Sequence, residues 1–220
     1  LNTPQRLSQT LLRAESEVAL LELTPEEIAH RLAELSDNDR QILTAMAVVN
    51  EPLNRTNLAA VLRTADIANE RDRTISATEL SPRLDRWRHL ALVTSEGDSA
   101  YRLRTAVAHV LLTRLSPTAL RALAQSVRAE RPIQRSKYSS IDLGAMAREL
   151  WLSLYVEMDP SFDKALAFYN NYPGDYSEGR LWRKAIGSEP PHAVLVAMPS
   201  VARREYLADV LAQLVVDHPT

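Results

Sequence analysis

At 220 residues, with 45% hydrophobic residues and a formal net charge of −2, the chain is long enough to bury a core of its own and lacks the composition of a disordered segment. It contains no cysteine, which excludes disulfides, iron–sulfur clusters and thiolate zinc sites and is compatible with a reducing compartment. No apolar run approaches the ~18 to 20 residues that span a bilayer, and no basic-then-apolar leader opens the chain, so a soluble, cytoplasmic protein with no membrane partner is expected.

In chain order, residues 3–22 place Leu7, Leu11, Leu12, Val18 and Leu21 at helical spacing, an amphipathic stripe. Thr24, Pro25 and Glu27 form a helix start, with Thr24 as N-cap, proline at the first helical position and Glu27 reaching back as a capping box. A helix from 25 to about 35 is predicted. Ser36 with Asp39 repeats the signal, and Ile42, Leu43, Met46 and Val49 mark the buried face of the next helix. Pro52 ends it, because the residue before a proline is driven out of the helical region. Residues 55–65 resume as a helix around Leu58, Val61 and Leu62, and 66–74 are too charged for burial.

Two helix starts then follow in succession, at Ser76 and at Ser81-Pro82. Proline inside a helix costs a backbone hydrogen bond, so a short turn and a helix over 82–90 are predicted. The apolar runs Ala91–Thr94 and Ala100–Leu103 flank the polar turn Ser95-Glu96-Gly97-Asp98-Ser99, the local signature of a hairpin. Ala106 to Leu115 and Ser116 to Val127 predict two more helices. The polar stretch 130–140 reads as a linker. Beyond it the pattern predicts a long helix over Ile141–Met158 and helices near 161–171, 177–186 and 191–198, with a last one from Pro199 to about 216. The expected organisation is a helical lead (1–35), a domain over 36–103, a helical extension (104–130) and a helical domain over 141–220 resembling stacked hairpins.

The order of elements in 36–103 resembles the winged-helix branch of the helix-turn-helix superfamily, with Ser36–Asn50, Arg55–Ala65 and Pro82–Leu90 as its three helices and Leu92–Leu103 as its wing. The exit Tyr101-Arg102-Leu103-Arg104 into a helix resembles winged helices of multidomain STAND-type ATPases and helicases. The likeness is one of pattern and covers about a third of the chain. The fold class expected is therefore mainly α, a winged helix with one β-hairpin plus an α-helical, solenoid-like C-terminal region.

In DNA-binding members of that branch, the third helix enters the major groove and the wing touches a neighbouring phosphate or the minor groove. Leu84, Trp87 and Leu90 share one face of this helix and are expected to be buried. Arg83, Arg86 and Arg88 then become the candidate nucleic-acid contacts, because the guanidinium fork suits guanine edges and phosphates. Charge is unevenly spread: residues 101–150 carry nine basic residues against three acids, whereas 36–100 carry eight against ten. Arg102, Arg104, Arg135 and Lys137 of that basic band extend the candidate track. Against it stand the acidic wing tip, Glu96 and Asp98, and Asp85 within the third helix. Arginine also outnumbers lysine 23 to 3, which reads as compositional bias rather than selection for phosphate contacts.

Tyr172, Tyr176 and Trp182 form a second candidate, an aromatic interaction surface, against the plainer account of a helix-to-helix turn packed by its own aromatics. Five scattered glycines offer no phosphate-cradling loop, five scattered histidines no helical metal pair, and no serine stands in a Gly-x-Ser-x-Gly elbow, so no catalytic residue, metal or cofactor is expected. The start at Leu1 rather than Met is read as the mark of a piece of a larger intracellular protein. The expected function is a non-catalytic regulatory or protein-interaction module, its partner a neighbouring domain or another protein. The alternative is a nucleic-acid-binding module that uses the third helix and the basic band to hold DNA.

Overall fold

The computed structural model describes residues 23–97, 99–133, 142–170, 177–187 and 190–217. The amphipathic stripe expected over 3–22 and the linker expected at 130–140, apart from its first four residues, lie outside them. Among the described residues the chain is mainly α, with 11 helices and one two-stranded antiparallel hairpin.

The first helix, α1 (Pro25–Ala33), begins as its sequence demands: Thr24 Oγ1 accepts from the Glu27 N–H and Glu27 Oε2 accepts from the Thr24 N–H, at 3.2 and 2.8 Å. The second, α2 (Asp37–Val49), is capped by Ser36, whose Oγ accepts from the Asp39 N–H at 3.1 Å. Its apolar residues from Ile42 to Val49 are almost wholly shielded from solvent. A helix that is apolar on all sides must be surrounded, and α2 is accordingly the axis of the molecule. It touches α3 (Arg55–Thr64), strand β2 (Ala100–Leu103), α5 (Thr105–Thr113), α6 (Pro117–Glu130) and α7 (Leu143–Leu152). It ends at Asn50, left-handed at φ 49°, whose N–H donates to the Met46 carbonyl.

Helix α4 (Ala77–His89) starts earlier than the sequence reading places it. Ser76 and Glu79 make a complete capping box, and Pro82 lies inside the helix. The box satisfies two otherwise unpaired donors and Leu80 is fully buried, so the first turn holds although Pro82 forgoes one hydrogen bond. The helix ends at Ala91 with φ 52°, where the Ala91 N–H donates to Arg88 and the Leu92 N–H to Trp87.

Strand β1 (Val93–Glu96) pairs with β2 in the register Val93 with Leu103 and Glu96 with Ala100. The turn between them passes through Gly97 at φ 64°, a backbone state that glycine adopts without steric cost. Leu53, between α2 and α3, adds a single bridge to the hairpin: its N–H and carbonyl exchange hydrogen bonds with Tyr101, both 2.9 Å.

The C-terminal helices are α7, α8 (Phe162–Asn170), α9 (Glu178–Ile186), α10 (His192–Ala197) and α11 (Ser200–Asp217). The long helix expected over 141–158 stops at Leu152. There the Tyr155 and Val156 N–H groups both bond to Leu152 O, and the Asp159 N–H returns to Glu149 Oε2 at 3.2 Å. The row α7, α9, α11 packs side by side, and two bonds fasten it to the axis: Trp151 Nε1 donates to Ala47 O at 2.9 Å, and Asn50 Nδ2 donates to Ala185 O at 2.6 Å. At the α9–α11 crossing, a Cβ on Gly179 would stand 2.2 Å from the Glu205 carbonyl, so only glycine permits this approach. One hydrophobic cluster runs through all of this, from Ile28 to Tyr206.

Candidate interaction surface

The third helix of the 36–103 region is α4, and its buried side is as the spacing predicts: Leu84 and Trp87 are fully enclosed and Leu90 is partly covered. The arginines on its other sides are not all presented to solvent. Arg83 lies back across α2, with Nη1 at 2.6 Å from Asn38 Oδ1 and 3.0 Å from Asp39 Oδ1. Asn38 is itself anchored by donating to the Ala68 carbonyl at 2.5 Å. Arg86 Nη1 stands 3.8 Å from the other Asp39 oxygen. The side chain of Arg83 is 23% exposed and that of Arg86 57%. Arg88, half-exposed, is 3.9 Å from Asp85 Oδ1 one turn earlier. One buried carboxylate, Asp39, thus faces two of the three candidate groups. The expectation that Arg83 and Arg86 share one exposed face holds for Arg86 alone.

The β1–β2 hairpin carries a similar arrangement. Arg102 Nη1 lies 3.7 Å from Glu96 Oε1, and its Nη2 donates to the Lys184 carbonyl at 2.9 Å, which turns the side chain toward the last turn of α9. Arg104 is half-buried, and this desolvation, with the neighbouring Arg31 charge, lowers its proton affinity. Arg31 in turn donates to the Leu90 carbonyl at the end of α4. Asp98, Arg135 and Lys137 lie outside the described residues.

Elsewhere in the described part of the basic band, Arg114 is exposed, Arg121 pairs with Glu157 at the surface, and Arg128, Arg131 and Arg148 turn inward. Arg121 makes a two-pronged contact with Glu157, at 3.0 and 3.1 Å. The Glu157 bonds raise the proton affinity of the Arg121 group, and the Arg121 bonds hold Glu157 below the ordinary carboxylate range. Arg128 Nη2 is 2.7 Å from Glu149 Oε2, and Arg131 Nη2 is 2.8 Å from Glu51 Oε2. Between those carboxylates sits Arg148, whose side chain, like that of Glu149, is 0% exposed. Its Nη1 is 3.3 Å from Glu51 Oε1 and its Nε 3.3 Å from Glu149 Oε1. Five charged groups from α6, α7 and the end of α2 therefore form one continuous internal cluster. Burial alone would raise the Asp159 carboxyl beside it, but the Ser161 hydroxyl and N–H, with the Arg128 and Arg148 charges, outweigh that and lower it.

Sequence reasoning missed Asp39, Glu51, Arg148 and Glu149 as the organising groups. The one signal available for the last two was a charged pair inside the apolar run from Ala145 to Leu152, since charges are seldom fully buried unless paired.

The aromatic candidate divides differently. Trp182 is 3% exposed and belongs to the core, so it presents no interaction surface. It lies on the apolar side of α9 with Leu181, Ala185 and Ile186, and helical spacing sends Arg180, Arg183 and Lys184 to the other side. Tyr172 and Tyr176 lie outside the described residues. Arg180, Arg183 and Lys184 line, with Leu143 and Leu181, a cleft of about 310 Å³. Arg183 is held there by Asp209, Nε to Oδ2 at 2.6 Å. Among the described residues no group of three or more His, Asp or Glu is arranged to hold a metal ion, and no helix is long and apolar enough to cross a membrane. Comparison with family models, with curated proteins and with solved structures found no match.

Proposed function

We propose that the chain is a non-catalytic regulatory and protein-interaction module, working within a larger multidomain protein, whose residues 36–103 form a winged-helix unit used as an adaptor. The succession of α2, the Leu53 bridge, α3, α4 and the β1–β2 hairpin is the order such a unit requires. The observation that carries the adaptor reading is the pairing of Arg83 with Asn38 and Asp39. A group that must bond to a base or a phosphate first has to leave a partly buried carboxylate, and that desolvated pair costs more to break than an exposed one. The engaged state of Arg128 and Arg131 supports the same reading, since each is paired with a buried carboxylate.

Two titrations test it. Fluorescence anisotropy with short duplex and single-stranded DNA, at about 50 and 200 mM salt, is expected to show no binding at either. Binding that weakens steeply with salt is the signature of phosphate contacts and would overturn the proposal. Calorimetric titration against the other domains of the parent protein is expected to give a stoichiometric complex with at least one of them, and silence from all of them would sink the idea.

One observation favours the nucleic-acid reading instead. Arg86 and Arg88 stay half-exposed, and their contacts of 3.8 and 3.9 Å exceed hydrogen-bond length. If DNA binds, these two groups are the contacts that Arg86→Ala and Arg88→Ala will weaken, and Arg83→Ala will act mainly on stability.

A further inference from the structure

The cleft beside α9 gathers three cations that the adaptor reading does not use. Arg183 and Lys184 follow Arg180 by three and four residues, so all three share one side of the helix. With Leu181, and with Leu143 from the start of α7, they line about 310 Å³. That is the small end of the roughly 300 to 1,000 Å³ that small-molecule sites occupy.

Arg183 is held in a set orientation within the cleft. Ser177 Oγ donates to Asp209 Oδ1 at 3.2 Å, and Arg183 Nε donates to Asp209 Oδ2 at 2.6 Å. The carboxylate takes the Nε edge of the guanidinium, and among the described residues neither Nη group has a partner. Those two nitrogens form the end of the fork that grips two oxygens side by side. Lys184 is exposed and, among the described residues, meets no carboxylate. Its backbone is fixed as well, because its carbonyl accepts from Arg102 Nη2 at 2.9 Å.

We propose that this cleft binds a small phosphomonoester with an apolar substituent, the phosphate against the Arg183 fork, Lys184 and Arg180, and the substituent against Leu143 and Leu181. The inference is independent of the adaptor reading, because such a ligand needs no other domain. A phosphomonoester carries roughly two negative charges and three acceptor oxygens at neutral pH. It therefore suits three neighbouring cations better than a carboxylate, which brings a single charge. The cations repel one another, and an anion set among them relieves that repulsion. The two leucines gain by being shielded from water, which favours an organic ester over the free phosphate ion. Asp209 acts as a positioning residue, since it orients Arg183 and does not itself face an anion.

Calorimetric titration of the 220-residue chain with phenyl phosphate, inorganic phosphate and phenol tests this. Phenyl phosphate is expected to bind with a dissociation constant on the order of 0.1 to 1 mM, ordinary for a ligand of its size. Inorganic phosphate is expected to bind about tenfold more weakly, and phenol not measurably. Arg183→Lys keeps the charge but removes the fork, and is expected to weaken phenyl phosphate roughly fivefold or more. Lys184→Gln, which alters an exposed side chain and is checked for folding by circular dichroism, is expected to weaken it roughly threefold. Arg63→Gln, at an exposed arginine on α3, is expected to change nothing. No heat from phenyl phosphate up to about 10 mM overturns the proposal. So does binding that Lys184→Gln leaves unchanged, or that Arg63→Gln weakens as much. Inorganic phosphate binding as tightly as phenyl phosphate overturns the part given to the leucines, and phenol binding as tightly overturns the part given to the cations.

Discussion

Glu51 and Arg148, 97 residues apart in the chain, meet at 3.3 Å inside the protein, where the arginine has no exposed surface at all. The contact ties the end of the axial helix to α7. A buried ion pair seldom adds much net stability over well-packed apolar residues, but removing one partner strands the other charge. Its effect is to fix how the C-terminal helices seat on α2.

The cluster around that pair is unequal in its redundancy. Deleting Arg148 leaves Glu51 with Arg131 and Glu149 with Arg128, whereas deleting Glu149 leaves Arg148 and Arg128 without their shared carboxylate and the Asp159 N–H without its acceptor. Glu149→Ala is therefore expected to cost about 3 to 5 kcal/mol in urea unfolding, and Arg148→Met less than half as much. Equal losses would mean that the carboxylate is not the hub.

Ala91 holds a left-handed conformation at the end of α4, where a side chain is sterically disfavoured and glycine is not. Its methyl is small, so little burial is lost on removing it. Ala91→Gly is expected to stabilise the protein by about 1 kcal/mol, seen as a rise in Tm of roughly 2 to 4 °C.

Gly179 has the opposite requirement. Its Cβ would collide with the Glu205 backbone carbonyl and with Asp209 Cβ, and a backbone atom cannot step aside as a flexible side chain can. Gly179→Ala is expected to cost about 1 to 3 kcal/mol and to separate α9 from α11. The near-ultraviolet circular dichroism of Trp182, three residues along α9, reports that separation. An unchanged spectrum would show that the helices slide without parting.

His109 is half-buried beside Tyr155, Nδ1 to Oη at 2.7 Å, and burial lowers its pKa below 6.5. Burial likewise pushes the Tyr155 phenol up, so the phenol stays protonated and serves as the donor to a neutral imidazole. Because the unfolded chain takes up the proton more readily, the contribution of His109 is fully present above pH 6.5 and is lost as pH falls from there through the lowered native value. His109→Gln removes the titration and keeps a polar side chain. It is expected to flatten the dependence of unfolding free energy on pH just below 6.5, and an unaltered slope there would assign the dependence to other groups.

Local chemistry was readable wherever it was self-contained. The capping signals at Thr24, Ser36 and Ser116 each start a helix within a residue of the expected place, because a cap is satisfied by the next three residues and needs nothing from afar. At Ser76 the same signal competed with Pro82, and the cap prevailed because Leu80 is locked into the core. The helix expected to run to Met158 stops at Leu152, where Glu149 draws the chain back by accepting from the Asp159 N–H, a bond that periodicity does not record.

Spacing and capping over a few neighbouring residues were enough for the helical class, the positions of most elements, the Val93–Leu103 hairpin and the buried side of α4. What the arginines do had to wait for the assembled fold. The net charge of a segment says nothing about whether Arg83 faces solvent or Asp39, or whether Arg131 meets a ligand or Glu51, because those partners stand 44 and 80 residues away. A cation spent on an internal carboxylate and a cation offered to a phosphate have the same letter in the sequence, and only long-range packing tells them apart.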